Sequence, residues 1–248
     1  MIPVMDLGIA GRRAAVAAAS AGLGYASAAA LVAEGAQVTL CGSDEGRARS
    51  AAERLGADYL VADLTRPDEA TRFVERAAQA MGGLDILVTN GPGPAPGTAL
   101  DTPPEAYPAA LDRSLLSVVR MCLAAVPGMR AAGWGRIVAI TSLGVRQPYP
   151  DLVLSTTARA GATGFLRTLA REVAADGVTV NSVQPGFHAT ARAQATMGEH
   201  PDLSSVPAGR MGEAADFGAV VAFLCSQQAN FLTGAALPVD GGAYQALL

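Results

Sequence analysis

Short apolar runs alternate with helical stretches along this chain, and that alternation limits its fold more than any other feature. "RAAVAAA" (Arg13–Ala19), "AQVTLCG" (Ala36–Gly42), "DYLVADL" (Asp58–Leu64), "LDILVTN" (Leu84–Asn90), "GRIVAITS" (Gly135–Ser142) and "VTVNSVQPG" (Val178–Gly186) read as strands. "ALPVDGG" (Ala236–Gly242) reads as a final short one. Helical patterns fill the intervals at Tyr25–Glu34, Ala48–Leu55, Pro67–Met81, Glu105–Ala132 and Ser155–Ala175, with Pro127 a candidate kink in the fourth. Runs that are apolar throughout, rather than alternating, belong to strands covered on both faces. Strands alternating with helices at this spacing predict an α/β fold with a doubly wound parallel sheet of about seven strands. Right-handed crossovers then collect the loops after the strands at one sheet edge, where ligands bind.

No linker, charge run or internal repeat divides the 248 residues, so residues 1–248 are expected to form a single domain carrying its own substrate pocket. "GPGPAPG" (Gly91–Gly97) follows the fourth strand and reads as a stiff active-site loop rather than a linker. A formal net charge of −4 argues against a nucleic-acid surface. Cys41, Cys122 and Cys225 are widely spaced, as reduced thiols are, and two His (His188, His200) without paired Cys exclude a structural zinc site. Ala14–Ala33 carries no charge, but its Ala/Gly/Ser composition and the "AGLG" break make it neither a membrane span nor a signal peptide. A cytoplasmic protein without membrane contact is expected.

After the first strand comes "ASAGLGYAS" (Ala19–Ser27), in which Gly22 and Gly24 open a helix. Glycine permits close backbone approach, and the helix start offers free N–H groups to a phosphate. A lone G-x-G is a weak signal. Its place after the first strand, with a second strand ending some twenty residues later, is what points to a dinucleotide.

From this loop onward the chain resembles the short-chain dehydrogenase/reductase family. The window "AAASAGLG" (Ala17–Gly24) stands where that family has T-G-x-x-x-G-x-G, with Ala17-Ala18 in place of Thr-Gly. An Ala there must keep φ negative or accept strain. "VADLT" resembles the Asp motif after the third strand, "LVTNGPG" keeps Asn90 of the N-N-A-G motif, and "VNSVQPGFHAT" resembles the P-G-x-x-x-T stretch. "RMGEAADFGAVVAFLCSQQANFLTGAALPVDGG" is similar to the family's C-terminal segment. The resemblance implies a Rossmann-like fold and a nicotinamide dinucleotide. Ala18, Ser20, Gly22, Leu23 and Gly24 would cradle its pyrophosphate, Asp63 and Leu64 its adenine, and Asn90, Gly91, Arg159, Pro185, Gly186 and Thr190 its nicotinamide half. At the end of the second strand, Gly42 and Ser43 put no carboxylate in the way of a 2′-phosphate, although Asp44 next in line can accept from the ribose of NAD. The pattern favours NADP and keeps NAD open.

The catalytic positions depart from the family. Ser142 takes the place of the substrate-binding Ser. Thirteen residues on, where a Tyr is expected, stands Ser155, and four further, where a Lys is expected, stands Arg159. Ser114 occupies the place of the Asn. A Ser hydroxyl is a poor general acid at neutral pH, and Arg does not exchange its proton. Ser142, Ser155 and Arg159 together suit an oxyanion pocket better than a proton relay. Two residues can supply a proton instead: Tyr149 in the loop before the helix, otherwise packed between Pro148 and Pro150, and His188 in the loop after the sixth strand, otherwise a surface residue. Arg146 reads as a solvated charge that can meet an acidic substrate; Trp134 and Cys122 read as packing residues.

The resemblance therefore implies an atypical NAD(P)(H)-dependent oxidoreductase acting on a small carbonyl or alcohol. Similarity alone would assign a 3-oxoacyl carrier-protein reductase, but with the Tyr gone that substrate does not carry over. A non-redox lyase or dehalogenase-like enzyme using the Ser/Arg pocket is the alternative, and a catalytically inactive dinucleotide-binding protein is another. A homotetramer or homodimer is expected, assembled through the long helices and the apolar "AVVAFLC" (Ala219–Cys225).

Overall fold

The computed structural model describes residues 6–191, 193 and 202–247; His200 lies outside them. Seven strands form one sheet in the order β3-β2-β1-β4-β5-β6-β7: β1 (Arg13–Val16), β2 (Gln37–Gly42), β3 (Asp58–Val61), β4 (Ile86–Thr89), β5 (Gly135–Ile140), β6 (Val178–Pro185) and β7 (Ala236–Val239). Every neighbouring pair is parallel. The order reverses between β1 and β4, and the cleft beyond their carboxyl ends is the place where open sheets of this kind bind ligands.

The helices are α1 (Gly22–Ala33), α2 (Glu45–Leu55), α3 (Pro67–Met81), α4 (Tyr107–Leu111), α5 (Ser117–Ala131), α6 (Val153–Val173) and α7 (Ala214–Leu224). One core layer joins α3, α5 and α6 to the sheet through Phe73, Met121, Met129, Leu87, Ile137 and Leu166. The other joins α1, α2 and α7 through Leu31, Leu40, Ile86, Val138, Phe217 and Leu224. Each such side chain, fully buried, contributes about 1.5–3 kcal/mol. A Cβ on Gly218 would land on the Ala26 carbonyl, so glycine there lets α7 and α1 meet backbone to backbone. Local chemistry sets the helix ends. Asp44 caps α2 and Pro67 opens α3, while Gly56 (φ 65°) and Gly82 (φ 71°) end those helices in the left-handed conformation.

The structure corrects two readings, the unbroken long helix and the exposed "AVVAFLC". The helix expected over Glu105–Ala132 is interrupted: α4 and α5 are joined by a π-helical turn, Asp112–Leu116, a distortion that favours functional sites. Pro127 lies inside α5 without ending it. The carbonyl it leaves unbonded is that of Leu123, which is exposed and can turn to water. "AVVAFLC" is mostly interior, since Val221, Ala222, Leu224 and Cys225 are buried and only Ala219 and Phe223 are exposed. Among the described residues, no helix is long and apolar enough to cross a membrane, and no group of His, Cys, Asp or Glu could hold a metal ion. All three cysteines are free and buried.

Candidate active site at the carboxyl edge of the sheet

Every strand but β2 ends one to three residues before its apolar run does, and those trailing residues build the site. After β1 the chain is pinned on both sides. Ala17 N–H donates to the Val88 carbonyl (2.9 Å) and Ala19 N–H to the Cys41 carbonyl (2.8 Å). Between them Ala18 sits at φ 47°, the only non-glycine residue with positive φ among the described residues. The strain expected of an Ala at that position is therefore present. Its N–H faces Cys41 Sγ at 3.4 Å and its carbonyl accepts from Asn90 Nδ2 at 3.1 Å. Left-handed Ala costs on the order of 1 kcal/mol. Ala18→Gly is expected to raise stability by about that amount, or Tm by about 2–4 °C; an unchanged or lowered melting point in calorimetry would show that the turn is relaxed.

Gly22 also has positive φ, 61°, and starts α1 behind Ala21, which offers no side-chain cap. The first N–H groups of α1 are thus left for a ligand. A Cβ on Gly24 would lie 2.6 Å from the Ala18 carbonyl oxygen and 2.7 Å from Asn90 Nδ2. Gly24 is required by that close approach, and Asn90 ties the end of β4 to the loop after β1. A Cβ on Gly22 would face Thr190 Cγ2 at 3.8 Å, so the loop after β6 closes over the same turn. Leu23 packs on the α1 side of the core.

At the end of β2, Gly42 lies against Ser20, whose Oγ would be 3.2 Å from an added Cβ. Ser43 is exposed. Asp44 is committed elsewhere: its carboxylate accepts from Arg47 N–H (2.8 Å), and Arg47 Nε lies 3.6 Å away. Asp63 accepts from the hydroxyl and N–H of Thr65; these bonds, with Arg66 and Arg113 nearby, hold its carboxyl below the usual range against a small opposing effect of burial. Leu64 is buried beside it. Gly186 N–H donates to the Val239 carbonyl, and a Cβ there would collide with Asp240 Cα at 2.8 Å. Pro185 ends β6, and Thr190 Oγ1 accepts from Ala193 N–H.

Ser142 follows β5. Its Oγ accepts from Gly144 N–H at 3.1 Å, which leaves its own proton to donate. A Cβ on Gly144 would touch Thr156 Oγ1 (3.2 Å), Ser142 Oγ (3.3 Å) and Tyr149 Cδ2 (3.4 Å), so this glycine gathers two hydroxyls and a phenol ring around one point. Thr156 was not singled out in the sequence; its signal is a buried Oγ1 without a partner. Tyr149 stacks at a tilt on Phe187, 6.0 Å between centroids, in a small apolar cluster with Leu143 and Val206. Burial, and then Asp240, push its phenol above its ordinary value. Ser155 is half-buried one residue before Thr156. Ser114 lies in the π turn, buried, its Oγ without a protein partner.

Two expectations change here. Arg159 is not held open as an anion clamp: Nη1 donates to the carbonyls of Ile140 (3.0 Å) and Thr141 (2.9 Å), and Nη2 to that of Gly91 (3.5 Å). It staples the ends of β4 and β5. His188 is not a surface residue and is not gathered with Ser142. It is buried, its ring edge-on to Phe217 and packed against Gly212, with Nδ1 3.2 Å from the Gly186 carbonyl. Burial lowers its proton affinity, which the Gly186 carbonyl, Asp216 and Asp240 only partly offset. Trp134 is a packing residue as expected, sandwiched between the guanidinium groups of Arg12 (3.9 Å) and Arg136 (4.3 Å).

A parallel sheet with this strand order, a glycine turn at its switch point and a serine beyond β5 define the class: the chain belongs to the short-chain dehydrogenase/reductase family of NAD(P)-dependent oxidoreductases. The family model described as enoyl-(acyl carrier protein) reductase matches residues 17–244. The chain is 35% identical over 238 residues to the 3-oxoacyl-[acyl-carrier-protein] reductase of Salmonella typhimurium, covering 94% of this chain and 98% of that one. It is 33% identical to the same enzyme of Pseudomonas aeruginosa over 245 residues, with the same coverage. The L-sorbose reductase of Gluconobacter frateurii, solved with NADPH and L-sorbose, superimposes with a TM-score of 0.90 at 30% identity, covering 98% of this chain and 100% of that chain. A putative short-chain alcohol dehydrogenase from Sinorhizobium meliloti gives 0.88 at 33% identity, covering 96% and 98%.

Proposed function

We propose that this protein is an NADPH-dependent oxidoreductase of a small carbonyl or alcohol in which the family's Tyr and Lys are replaced by Ser155 and Arg159. The observation that carries the cofactor reading is the state of the β2 edge. Gly42 and Ser43 present no carboxylate, and Asp44 is consumed as the cap of α2 beside Arg47. A 2′-phosphate meets no opposing charge there, and the hydroxyls of Ser20 and Ser43 can donate to it. The glycine turn fits the pyrophosphate, since Gly22 and the uncapped start of α1 leave N–H donors free. L-sorbose reductase, similar along almost the whole chain, was solved with NADPH. Titration of NADP+, NADPH, NAD+ and NADH by fluorescence tests the reading. NADPH is expected to bind at least about tenfold more tightly than NADH, a difference of about 1.4 kcal/mol; equal affinities would return the choice to NAD.

Bound nicotinamide would supply or accept the hydride. The chain supplies the proton and the orientation. Ser142, its Oγ held by Gly144 N–H, donates to the substrate oxygen. Tyr149 is the phenol beside it, reaching in from the loop rather than from α6. Burial keeps that phenol protonated, which suits donation to a developing alkoxide and opposes proton removal from an alcohol. Carbonyl reduction is accordingly the favoured direction. Arg159 fixes the strand ends that carry Gly91 and Ser142, and its permanent charge would help to hold the cofactor's ribose. Tyr149→Phe is expected to lower kcat/KM for reduction about a hundredfold with NADPH affinity unchanged. The wild-type rate should stay level up to about pH 9, because the phenol titrates above its ordinary value of about 10. An undiminished rate in the Phe variant would move the donor to Ser142 and water. The 3-oxoacyl thioesters named for the curated relatives belong in the substrate panel beside simple ketones and ketoses.

A further inference from the structure

Helix α6 brings a hydroxyl to Ser142 from Thr156, one residue past the position that the spacing from Ser142 singles out. Hydroxyls on the helices of this chain commonly fold back onto their own helix. Ser27 donates to the Leu23 carbonyl (2.7 Å), Ser117 to that of Arg113 (2.6 Å), Thr163 to that of Arg159 (2.9 Å) and Thr168 to that of Gly164 (3.2 Å). Such a bond to the carbonyl four residues back is the usual resort of a helical Ser or Thr that faces no water. Thr156, in the first turn of α6, does not make it. Its N–H donates to the Leu152 carbonyl at 2.8 Å, but its Oγ1 is buried and has no hydrogen-bond partner among the described residues. The other buried, unpartnered hydroxyl on a helix, that of Ser114, lies in the π turn, where the four-residue register is lost. Thr156 sits in regular α-helix and still turns its hydroxyl away.

It turns toward the loop after β5. A Cβ on Gly144 would lie 3.2 Å from Thr156 Oγ1 and 3.3 Å from Ser142 Oγ, so the two oxygens flank one glycine, with Tyr149 Cδ2 on a third side at 3.4 Å. Gly144 N–H already fills one lone pair of Ser142 Oγ, at 3.1 Å. A hydroxyl has two lone pairs and one proton. Once Thr156 donates to the second lone pair, the Ser142 proton has no direction left but the substrate. Catalytic hydrogen bonds are often long or misaligned before substrate arrives and close in the reacting complex. A hydroxyl that accepts is also a better donor, because chained hydrogen bonds polarise one another. Ser155, one residue earlier, projects about 100° round the helix from Thr156.

We propose that Thr156 is the positioning residue of Ser142: its hydroxyl donates to Ser142 Oγ in the substrate complex and so aims the Ser142 proton at the substrate oxygen. The inference rests on the reading of this chain as an NADPH-dependent reductase with Ser142 at the substrate oxygen. Thr156 neither gives up nor gains a proton in the cycle. It acts on the rate through the geometry of Ser142 and leaves substrate and cofactor binding alone.

The test is Thr156→Val, which keeps the outline of the side chain and removes the hydroxyl, beside Thr156→Ser, which keeps the hydroxyl. Both are assayed with NADPH and the carbonyl compound of the panel that the wild type reduces fastest. In Thr156→Val kcat is expected to fall about tenfold, the worth of one hydrogen bond lost from the transition state, while KM and NADPH affinity stay within about twofold. Removing a buried hydroxyl that has no partner in the resting protein should leave Tm unchanged or raise it, so the lost rate is not lost structure. Thr156→Ser should restore most of kcat. An unchanged kcat in Thr156→Val would make the hydroxyl a bystander, a raised one would make it a competitor for the Ser142 proton, and an equal loss in Thr156→Ser would assign the effect to packing; each overturns the assignment. A wild type that binds NADPH and reduces no member of the panel gives a different result: it removes the oxidoreductase reading, and the role of Thr156 with it.

Discussion

Gly24→Val is expected to abolish NADPH binding, with affinity falling at least about a hundredfold. The first atom of the new side chain would lie 2.6 Å from the Ala18 carbonyl oxygen, 2.7 Å from Asn90 Nδ2 and 3.1 Å from Ala19 Cα. Two of these belong to backbone that is fixed by β1, β2 and β4, so they do not yield as a flexible side chain would. The start of α1 must move away, and the Asn90–Ala18 hydrogen bond must break with it. Overpacking of this sort costs about 1–3 kcal/mol of stability, and the displaced helix start no longer presents its N–H groups to a pyrophosphate. Gly46→Ala is the control, because a Cβ there meets only Asp44 Oδ1 at an ordinary 3.6 Å. Titration with NADPH and melting curves on both variants decide the matter. Retained affinity in Gly24→Val would place the dinucleotide elsewhere.

The parts of this molecule that the sequence made legible are those that repeat or punctuate. Apolar runs found all seven strands, and Gly22, Gly24 and Asn90 found the turn at the switch point. What stayed hidden depends on who a side chain meets across the fold. Asp44 reads equally as a ribose ligand or a helix cap until α2 is seen to begin at Glu45 and to use it. Arg159 reads as an anion clamp because its position is one helical turn past Ser155. Only the strand ends reveal that three carbonyls take its donors. His188 carries no burial signal of its own; Phe217 and Gly212, distant in sequence, enclose it. The π turn at Ser114 has no local signature, since its residues are ordinary helix formers and the widened turn lies against the loop after β4, with Arg113 O 3.5 Å from where a Gly91 Cβ would be. Ala18 shows the limit from the other side. The missing glycine was visible, but whether the turn would relax or strain depended on the bonds of Ala17 and Ala19 to the neighbouring strands, and those hold it at φ 47°.

The double change Ser155→Tyr with Arg159→Lys is expected to raise carbonyl reduction at least about a hundredfold, within the range general acid–base catalysis contributes. All 18 basic residues of this chain are Arg, so it has no side-chain ammonium with which to draw down the acidity of a phenol. Arg159→Lys introduces the first. The two positions lie one turn apart on α6 and therefore on one face, and Ser142 already presents its hydroxyl thirteen residues before the new Tyr. A Lys beside that Tyr stabilises the phenolate and lowers its pKa, so alcohol oxidation by the variant should rise with pH and level off at a lower pH than in the wild type. The Ile140, Thr141 and Gly91 carbonyls lose a guanidinium and keep an ammonium with three donors, so a modest loss of Tm is expected with the fold intact. Arg159→Lys alone separates the two effects: it should lower Tm as much as the double change and gain no activity. Both proteins are assayed with NADPH and a ketone panel after cofactor binding has been verified. A variant that binds NADPH as the parent does and yet gains on no ketone would mean that Ser155 and Arg159 belong to a pocket reshaped for other chemistry. Loss of the parent's own activity in that variant would assign the two residues to its substrate.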